Sequence, residues 1–262
     1  MAIHINYRKI EYDVYPGGEV YLKTELPAVA DTTVPMQVIT VIENSNDIMA
    51  LLFIRNFYEK VNAILHLQYT PYARQDRVIA GKTGNQVLTA KVFANLINSL
   101  NFESVYIYDP HSMVMPALID RSVVVSQTEL CKQVVNVAKY DLLIAPDLGA
   151  YKKTEELSIE TGIPFAYATK TRNPETGFLE VTGFSSPESL EGKYALVVDD
   201  ICDGGGTFIN LMEYLKTRAN DFKLDLYVTH GIFSKTKKPL YEAGFNNIYS
   251  YYEFDTYKEN NQ

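Results

Sequence analysis

The chain has 262 residues, 47% hydrophobic and 21% charged, enough for one large domain or two smaller ones with their own cores. A formal charge of −8, from 32 acidic against 24 basic residues, argues against an unspecific nucleic-acid binder. Only Cys131 and Cys202 are cysteines, which excludes a disulfide framework or a structural zinc site. No apolar run reaches bilayer length, and the start "MAIHINYRKIEYDVYPGG" has no signal-peptide core, so a cytoplasmic protein with no membrane partner is expected.

The predicted elements alternate along the chain. "MQVITVIE" reads as a buried parallel strand, "DIMALLFIRNFYEK" as a helix and "VNAILHLQYTPY" as the next strand. "VLTAKVFANLINSL" and "SVYIYD" repeat the helix–strand order before "ALIDRSVVVSQ". Near Ser126–Glu129 the pattern restarts, with a helix over "TELCKQVVNVAKY" and a strand over "YDLLIAPD". Then "YKKTEELSIETG" is helical, "KYALVVDD" a strand, "TFINLMEYLKTRAND" helical and "LDLYVTHGIF" a strand. The tyrosine-rich "NNIYSYYEFDTY" reads as a last strand with a packing surface. This order predicts an α/β fold in two halves, each a mainly parallel sheet flanked by helices through right-handed crossovers.

Ligands of open α/β sheets bind outside the carboxyl ends of the strands. In "ALVVDDICDGGGTFINL" a strand delivers Asp199 and Asp200, then Asp203, Gly204, Gly205, Gly206 and Thr207 lead into a helix. Glycines let backbone N–H groups approach an anion, and a helix N-terminus adds a positive dipole end. The acid pair repels phosphate but suits ribose hydroxyls or magnesium, so the stretch fits a ribose phosphate better than a free phosphate. A tight turn with solvated acids is the bland alternative; against it, each glycine gives up about 0.5–1 kcal/mol where its freedom goes unused. Neither a Walker lysine nor GxGxxG is present.

Other strand ends leave two readings open. His111 of "DPHS" and Asp147 of "LLIAPD" are either structural residues or ligands of a shared magnesium. Arg74, Gln75, Asp76 and Arg77 of "QYTPYARQDRVIAGK" form a solvated loop or a polyphosphate clamp. "YATKTRNPETGFLEV" is an exposed hairpin or a mobile cationic loop in which Lys170 and Arg172 close over a transferring phosphoryl group.

Taken in order, "YTPYARQDR", "DPHS", "APDLGAYKK", "VVDDICDGGGT" and "VTHGIFS" resemble the ribose-phosphate pyrophosphokinases (phosphoribosyl pyrophosphate synthetases), over about Tyr15 to Ser250. Type I phosphoribosyltransferases share the acid-pair loop but lack the Arg-Gln-Asp-Arg segment. The resemblance implies two phosphoribosyltransferase-like (Rossmann-like) domains with the active site between them: an ATP-binding domain over 1–127 and a domain with the ribose-phosphate loop over 128–262. It implies transfer of diphosphate from MgATP to the anomeric hydroxyl of ribose 5-phosphate, with release of AMP and Mg2+ as cofactor. Arg74, Gln75 and Asp76 match the ATP-holding segment, and His111 and Asp147 match magnesium ligands. Tyr15 and Glu19 of "YPGGE" match a loop that lends adenine contacts to a neighbouring subunit, which implies a homo-oligomer. Asp199 and Asp200 match acids facing the ribose and metal, Asp203 to Thr207 match the sugar-phosphate loop, and Lys170 and Arg172 match the flexible catalytic loop.

Three departures stand out. Gly204-Gly205-Gly206 replaces a Thr-Ala-Gly-like segment, Gly17 stands where Asp or Asn is usual, and "GKTGNQ" replaces a more basic segment. A side-chain-free phosphate loop admits a phosphate bearing further substituents. The chain is also similar in length and loop to phage NAD-salvage relatives that act on ADP-ribose, so ADP-ribose is the second expected acceptor. A non-catalytic regulatory homologue is the alternative of another class; the presence of Lys170, Arg172, His111, Asp147, Asp199 and Asp200 weighs against it.

Overall fold

A computed structural model describes residues 3–29, 33–78, 87–172, 179–186 and 189–254. "GKTGNQ", residues 173–178 of the predicted cationic loop and the end of the tyrosine-rich tail lie outside the described residues. The chain divides into two compact units, Met1–Val125 and Ser126–Gln262.

The first unit contains β1 (Ile3–Ile5), β2 (Arg8–Ile10), β3 (Tyr12–Val14), β4 (Val20–Leu22), β5 (Met36–Val41), α1 (Ser45–Phe57), β6 (Ala63–Tyr69), α2 (Thr89–Ser99), β7 (Ser104–Tyr108), α3 (Val114–Leu118) and β8 (Ser122–Val125). Its main sheet has the order β2-β1-β5-β6-β7-β8. Strands β5 to β8 are parallel, while β1 joins β5 antiparallel, His4 opposite Ile39. Ala50, Leu51 and Ile54 of α1 and Phe93 and Ile97 of α2 share one core with Val38, Leu65 and Val105. Burial of each large side chain contributes about 1.5–3 kcal/mol. Exposure alternates along β5 and β6, with Gln37 and His66 on the less covered side. The expectation of strands buried on both faces is therefore met only in part in this unit, where the second face is half-buried and carries Gln37, Ile39, Ile64, His66 and Gln68.

The second unit contains α4 (Gln127–Val134), β9 (Leu142–Ala145), α5 (Tyr151–Thr161), β10 (Phe165–Arg172), β11 (Leu179–Ser185), β12 (Tyr194–Cys202), α6 (Gly206–Lys216), β13 (Lys223–Gly231), α7 (Lys238–Ala243) and β14 (Ile248–Glu253). The sheet order is β11-β10-β9-β12-β13-β14, parallel except for β11. Here the strands are buried on both faces. Val197, Leu226 and Val228 pack with Phe208, Leu211 and Leu215 of α6, whereas Leu143, Leu196 and Val198 pack with Cys131 and Leu157 of α4 and α5.

Two expectations need correction. The helix over 128–140 starts well, with Ser126 and Glu129 closing a capping box, but it ends at Val134. Val135 is extended (φ −121°, ψ 130°), as suits a β-branched residue in a Val-Val-Asn-Val run, and only a short 3-10 turn follows at Val137–Lys139. Of the two readings of "YATKTRNPETGFLEV", the loop is corrected and the hairpin holds: Lys170 and Arg172 lie on β10, which pairs antiparallel with β11 as far as Arg172 opposite Leu179.

At the amino ends of β12 to β14 sits a fully buried carboxylate, Asp225. Its Oδ2 accepts from the Tyr140 and Tyr194 hydroxyls, each at 2.6 Å, and lies 3.4 Å from Lys139 Nζ. Asn247 donates to Oδ1 through its backbone N at 3.0 Å and its side chain at 3.1 Å. A buried charge is tolerated only when so answered. Tyr140→Phe is expected to lower the unfolding free energy by about 1.5–3 kcal/mol, the loss of a hydrogen bond to a charged group, seen as a lower urea midpoint by circular dichroism.

Candidate active site

In the second unit, in-register parallel pairing sets Ala195 beside Leu142 and Val197 beside Ile144. Strand β9 stops at Ala145, and the turn into α5 carries Asp147; β12 runs on to carry Asp199 and Asp200. Asp147 Oδ1 accepts the backbone N–H groups of Gly149 (2.9 Å) and Ala150 (3.2 Å), which fixes the carboxylate at the amino end of α5. Its Oδ2 is 3.1 Å from Lys170 Nζ, and the Lys170 side chain is only 7% exposed. Lys170 is thus largely buried and held by an acid. Lys153, on the first turn of α5, places Nζ 4.0 Å from Asp200 Oδ2. Asp199 Oδ1 accepts from the backbone N of Asp200 at 2.8 Å. Burial, then the negative charges of Asp200 and Asp147, push the Asp199 carboxyl well above the usual carboxylate range.

The phosphate-loop candidate follows directly. Gly205 takes a left-handed conformation (φ 77°) and is the N-cap of α6, which has no side-chain cap. The turn stands at the amino, positive end of an 11-residue helix. A side chain at 205 is strained twice over: by φ, and by a Cβ position 3.1 Å from Leu240 Cδ2. A Cβ at Gly206 would meet nothing within 4 Å, and one at Gly204 would meet only the Lys235 methylenes. Asp203 Oδ1 accepts from Ser234 Oγ at 2.5 Å.

The first unit brings a second group together. Tyr72 (φ 64°) begins a turn closed by Gln75 N donating to Tyr72 O at 2.9 Å. Thr89 Oγ1 donates to Gln75 Oε1 at 2.6 Å, anchoring the segment to α2. Asp76 accepts from Ser112 Oγ (2.7 Å) and from Arg77 Nε (3.0 Å). The Ser112 hydrogen bond, with help from the charges of Arg77 and His111, holds its carboxyl below the usual range despite partial desolvation. This ties the strand end of β6 to the strand end of β7, where Asp109 is buried and left-handed (φ 41°) and His111 is exposed. Tyr15 and Glu19 sit on the exposed hairpin of β3 and β4, closed by Tyr15 N to Glu19 O at 2.9 Å, with Tyr15 stacked on Tyr21 at 4.3 Å.

The sequence-predicted residues thus fall into three groups: Arg74, Gln75, Asp76 and His111; Tyr15 and Glu19; and Asp147, Lys170, Asp199, Asp200 with the 203–207 loop. Ser112, Lys153 and Ser234 join them without having been singled out. Their signal was proximity in sequence to motif residues, as in "DPHS", "GAYKK" and "GIFS", but serine and lysine on a surface carry little information alone. Among the described residues no three His, Cys, Asp or Glu side chains converge as a ready metal cage. Magnesium takes one or two carboxylates and keeps waters or substrate phosphates as its other ligands. The hard oxygens of Asp147, Asp199 and Asp200 fit a metal carried in on phosphates.

Clustering like charges has a stability consequence. A carboxyl whose folded pKa is raised favours the folded state fully below its unfolded value, near about pH 4, and loses that contribution as pH rises through the folded value. Asp199→Asn keeps the acceptor for Asp200 N and removes the charge. It should therefore melt above the wild type at neutral pH, with the gap closing as pH falls toward about 4; thermal denaturation at a series of pH values reads this.

Residues 126–243 match the phosphoribosyl transferase domain. A ribose-phosphate pyrophosphokinase of Sulfolobus acidocaldarius is 27% identical over 245 residues, spanning 92% of this chain and 82% of its own. One of Methanobrevibacter smithii is 26% identical over 264 residues, spanning 92% and 84%. The crystal structure of phosphoribosylpyrophosphate synthetase from Mycobacterium smegmatis shares the fold at 19% identity, with a TM-score of 0.70 over 92% of this chain and 79% of that one. The chain thus carries a phosphoribosyl transferase domain, is similar over most of its length to ribose-phosphate pyrophosphokinases, and shares the fold of a phosphoribosylpyrophosphate synthetase.

Proposed function

We propose that this chain is a diphosphokinase that moves the β,γ-diphosphate of MgATP to the anomeric hydroxyl of a ribose 5-phosphate moiety and releases AMP. The observation that carries the reading is the β12–α6 connection, where an acid pair is followed by an uncapped, left-handed glycine turn. One ligand with hydroxyls on one side and a phosphate on the other satisfies both halves. In this reading Asp199 and Asp200 orient the ribose hydroxyls, and the backbone of Asp203 to Thr207 binds the sugar phosphate at the amino end of α6. Arg74, Gln75 and Asp76 hold ATP, and Tyr15 and Glu19 serve adenine in a neighbouring copy of a homo-oligomer.

The anomeric oxygen forms a bond to the β-phosphorus as the bond from that phosphorus to the bridging oxygen of AMP breaks. AMP keeps the electron pair, and the hydroxyl proton is lost. Little covalent chemistry falls to the protein, so positioning and charge neutralisation dominate. His111 and Asp147 are the proposed magnesium ligands, and the bound ion supplies neutralisation of the phosphate oxygens. Lys170 and Arg172 add fixed positive charge to the transferring group. Lys170 is already buried and oriented by Asp147, so little reorganisation is needed when negative charge develops beside it.

ADP-ribose is the second acceptor, favoured by the open space at Gly206 and the absence of a side chain at Gly204. Both acceptors use the same chemistry. The deciding assay supplies MgATP with ribose 5-phosphate or ADP-ribose and follows AMP and the diphosphorylated product. Acceptor-dependent AMP release is expected, and its absence with both acceptors overturns the reading. Lys170→Met should lower kcat by about 100-fold or more, in the range lost with one preorganised charge donor, while changing the KM for ATP far less. Steady-state kinetics at saturating acceptor checks this.

A further inference from the structure

The turn after β13 carries Lys235, Lys237 and Lys238. Two of these are answered by carboxylates: Lys237 Nζ is 2.5 Å from Glu253 Oε1, and Lys238 Nζ is 3.7 Å from Glu242 Oε1. Lys235 has neither an ion-pair nor a hydrogen-bond partner among the described residues. Asp203 Oδ1 accepts from Ser234 Oγ at 2.5 Å.

The backbone fixes where Lys235 stands. Phe233 (φ 49°) and Thr236 (φ 62°) are left-handed, and Thr236 N donates to Phe233 O at 2.8 Å. Cys202 O accepts both Ile232 N (2.9 Å) and Phe233 N (3.1 Å), pinning the turn to the residue before Asp203. The Lys235 methylenes lie over Gly204, with Cγ, Cδ and Cε 3.5–3.9 Å from the position of a Cβ there. A branched side chain at 204 would contend with the lysine for this space. The missing side chain and the unanswered cation are therefore two parts of one feature.

We propose that Lys235 selects the acceptor, its ammonium pairing with the second phosphate of a ribose whose 5-phosphate is part of a diphosphate ester. This rests on the reading that the 203–207 loop holds the acceptor's phosphate. The loop amides and the amino end of α6 already answer the ribose-linked phosphate. A further cation, left without a protein carboxylate, matches a further negative charge. ADP-ribose has that second phosphate and ribose 5-phosphate lacks it.

Lys235→Met keeps the methylene packing on Gly204 and removes the charge. In calorimetric titrations its Kd for ADP-ribose should rise about tenfold, ~1.4 kcal/mol, with a smaller rise for ribose 5-phosphate. Gly204→Thr, which displaces the lysine, should reproduce the selective loss, and the double variant should add little to either single change. Equal losses for both ligands, no loss for ADP-ribose, or no ADP-ribose binding by the wild type overturns the proposal. AMP release is scored separately: selective binding with no turnover on either acceptor refutes the diphosphokinase reading while leaving the role of Lys235 standing.

Discussion

The second unit is organised around a repulsion. Parallel pairing of β9 with β12 brings Asp147 to the same strand end as Asp199 and Asp200, and burial, followed by the charges of Asp200 and Asp147, raises the proton affinity of Asp199. Such an edge persists only because the rest of the unit over-determines it. Apolar layers cover both faces of β12, so the strand cannot twist its acids apart without opening one core or the other. The edge is also partly neutralised from within, by Lys170 on β10 and Lys153 on α5. A bound cation or a hydroxyl-rich ligand would relieve what remains, which is how a destabilised edge becomes a binding site.

The same logic explains why so flexible a backbone follows so charged a pair. In the proposed site, carboxylates at the strand end and a phosphate one turn later must not face each other. The left-handed Gly205 turns the chain between them, so that side chains would meet one end of the proposed ligand and peptide N–H groups the other. Asp203 would be the intruding charge. Ser234 draws it aside from the turn that β13 supplies, so neighbouring strands are needed to complete a loop that is local in sequence.

The architecture was legible because apolar runs and helical spacing alternate without interruption, and every strand quoted from the sequence is a strand of the fold. What escaped was what depends on pairing between distant segments. "YATKTR" has the composition of a loop, yet it is a strand because 179–185 supplies a partner. The helix over 128–140 stopped early because periodicity continued through "VVNV" after helical propensity had run out. Asp199, Asp200 and the glycines were legible because their types are improbable together. Ser112, Lys153 and Lys235 were not, because a surface serine or lysine acquires meaning only from what stands opposite it. The register that sets those partners is a tertiary fact.

The triple glycine is more than the removal of side chains from an otherwise unchanged loop. At 204 and 206 the space beside the backbone admits a Cβ at ordinary contact distances or with nothing near it, so glycine there is permissive. At 205 the left-handed φ and a Cβ position 3.1 Å from Leu240 Cδ2 strain any side chain, so glycine is favoured there. The space beside 204 is not left to water, because the methylenes of Lys235 lie over it.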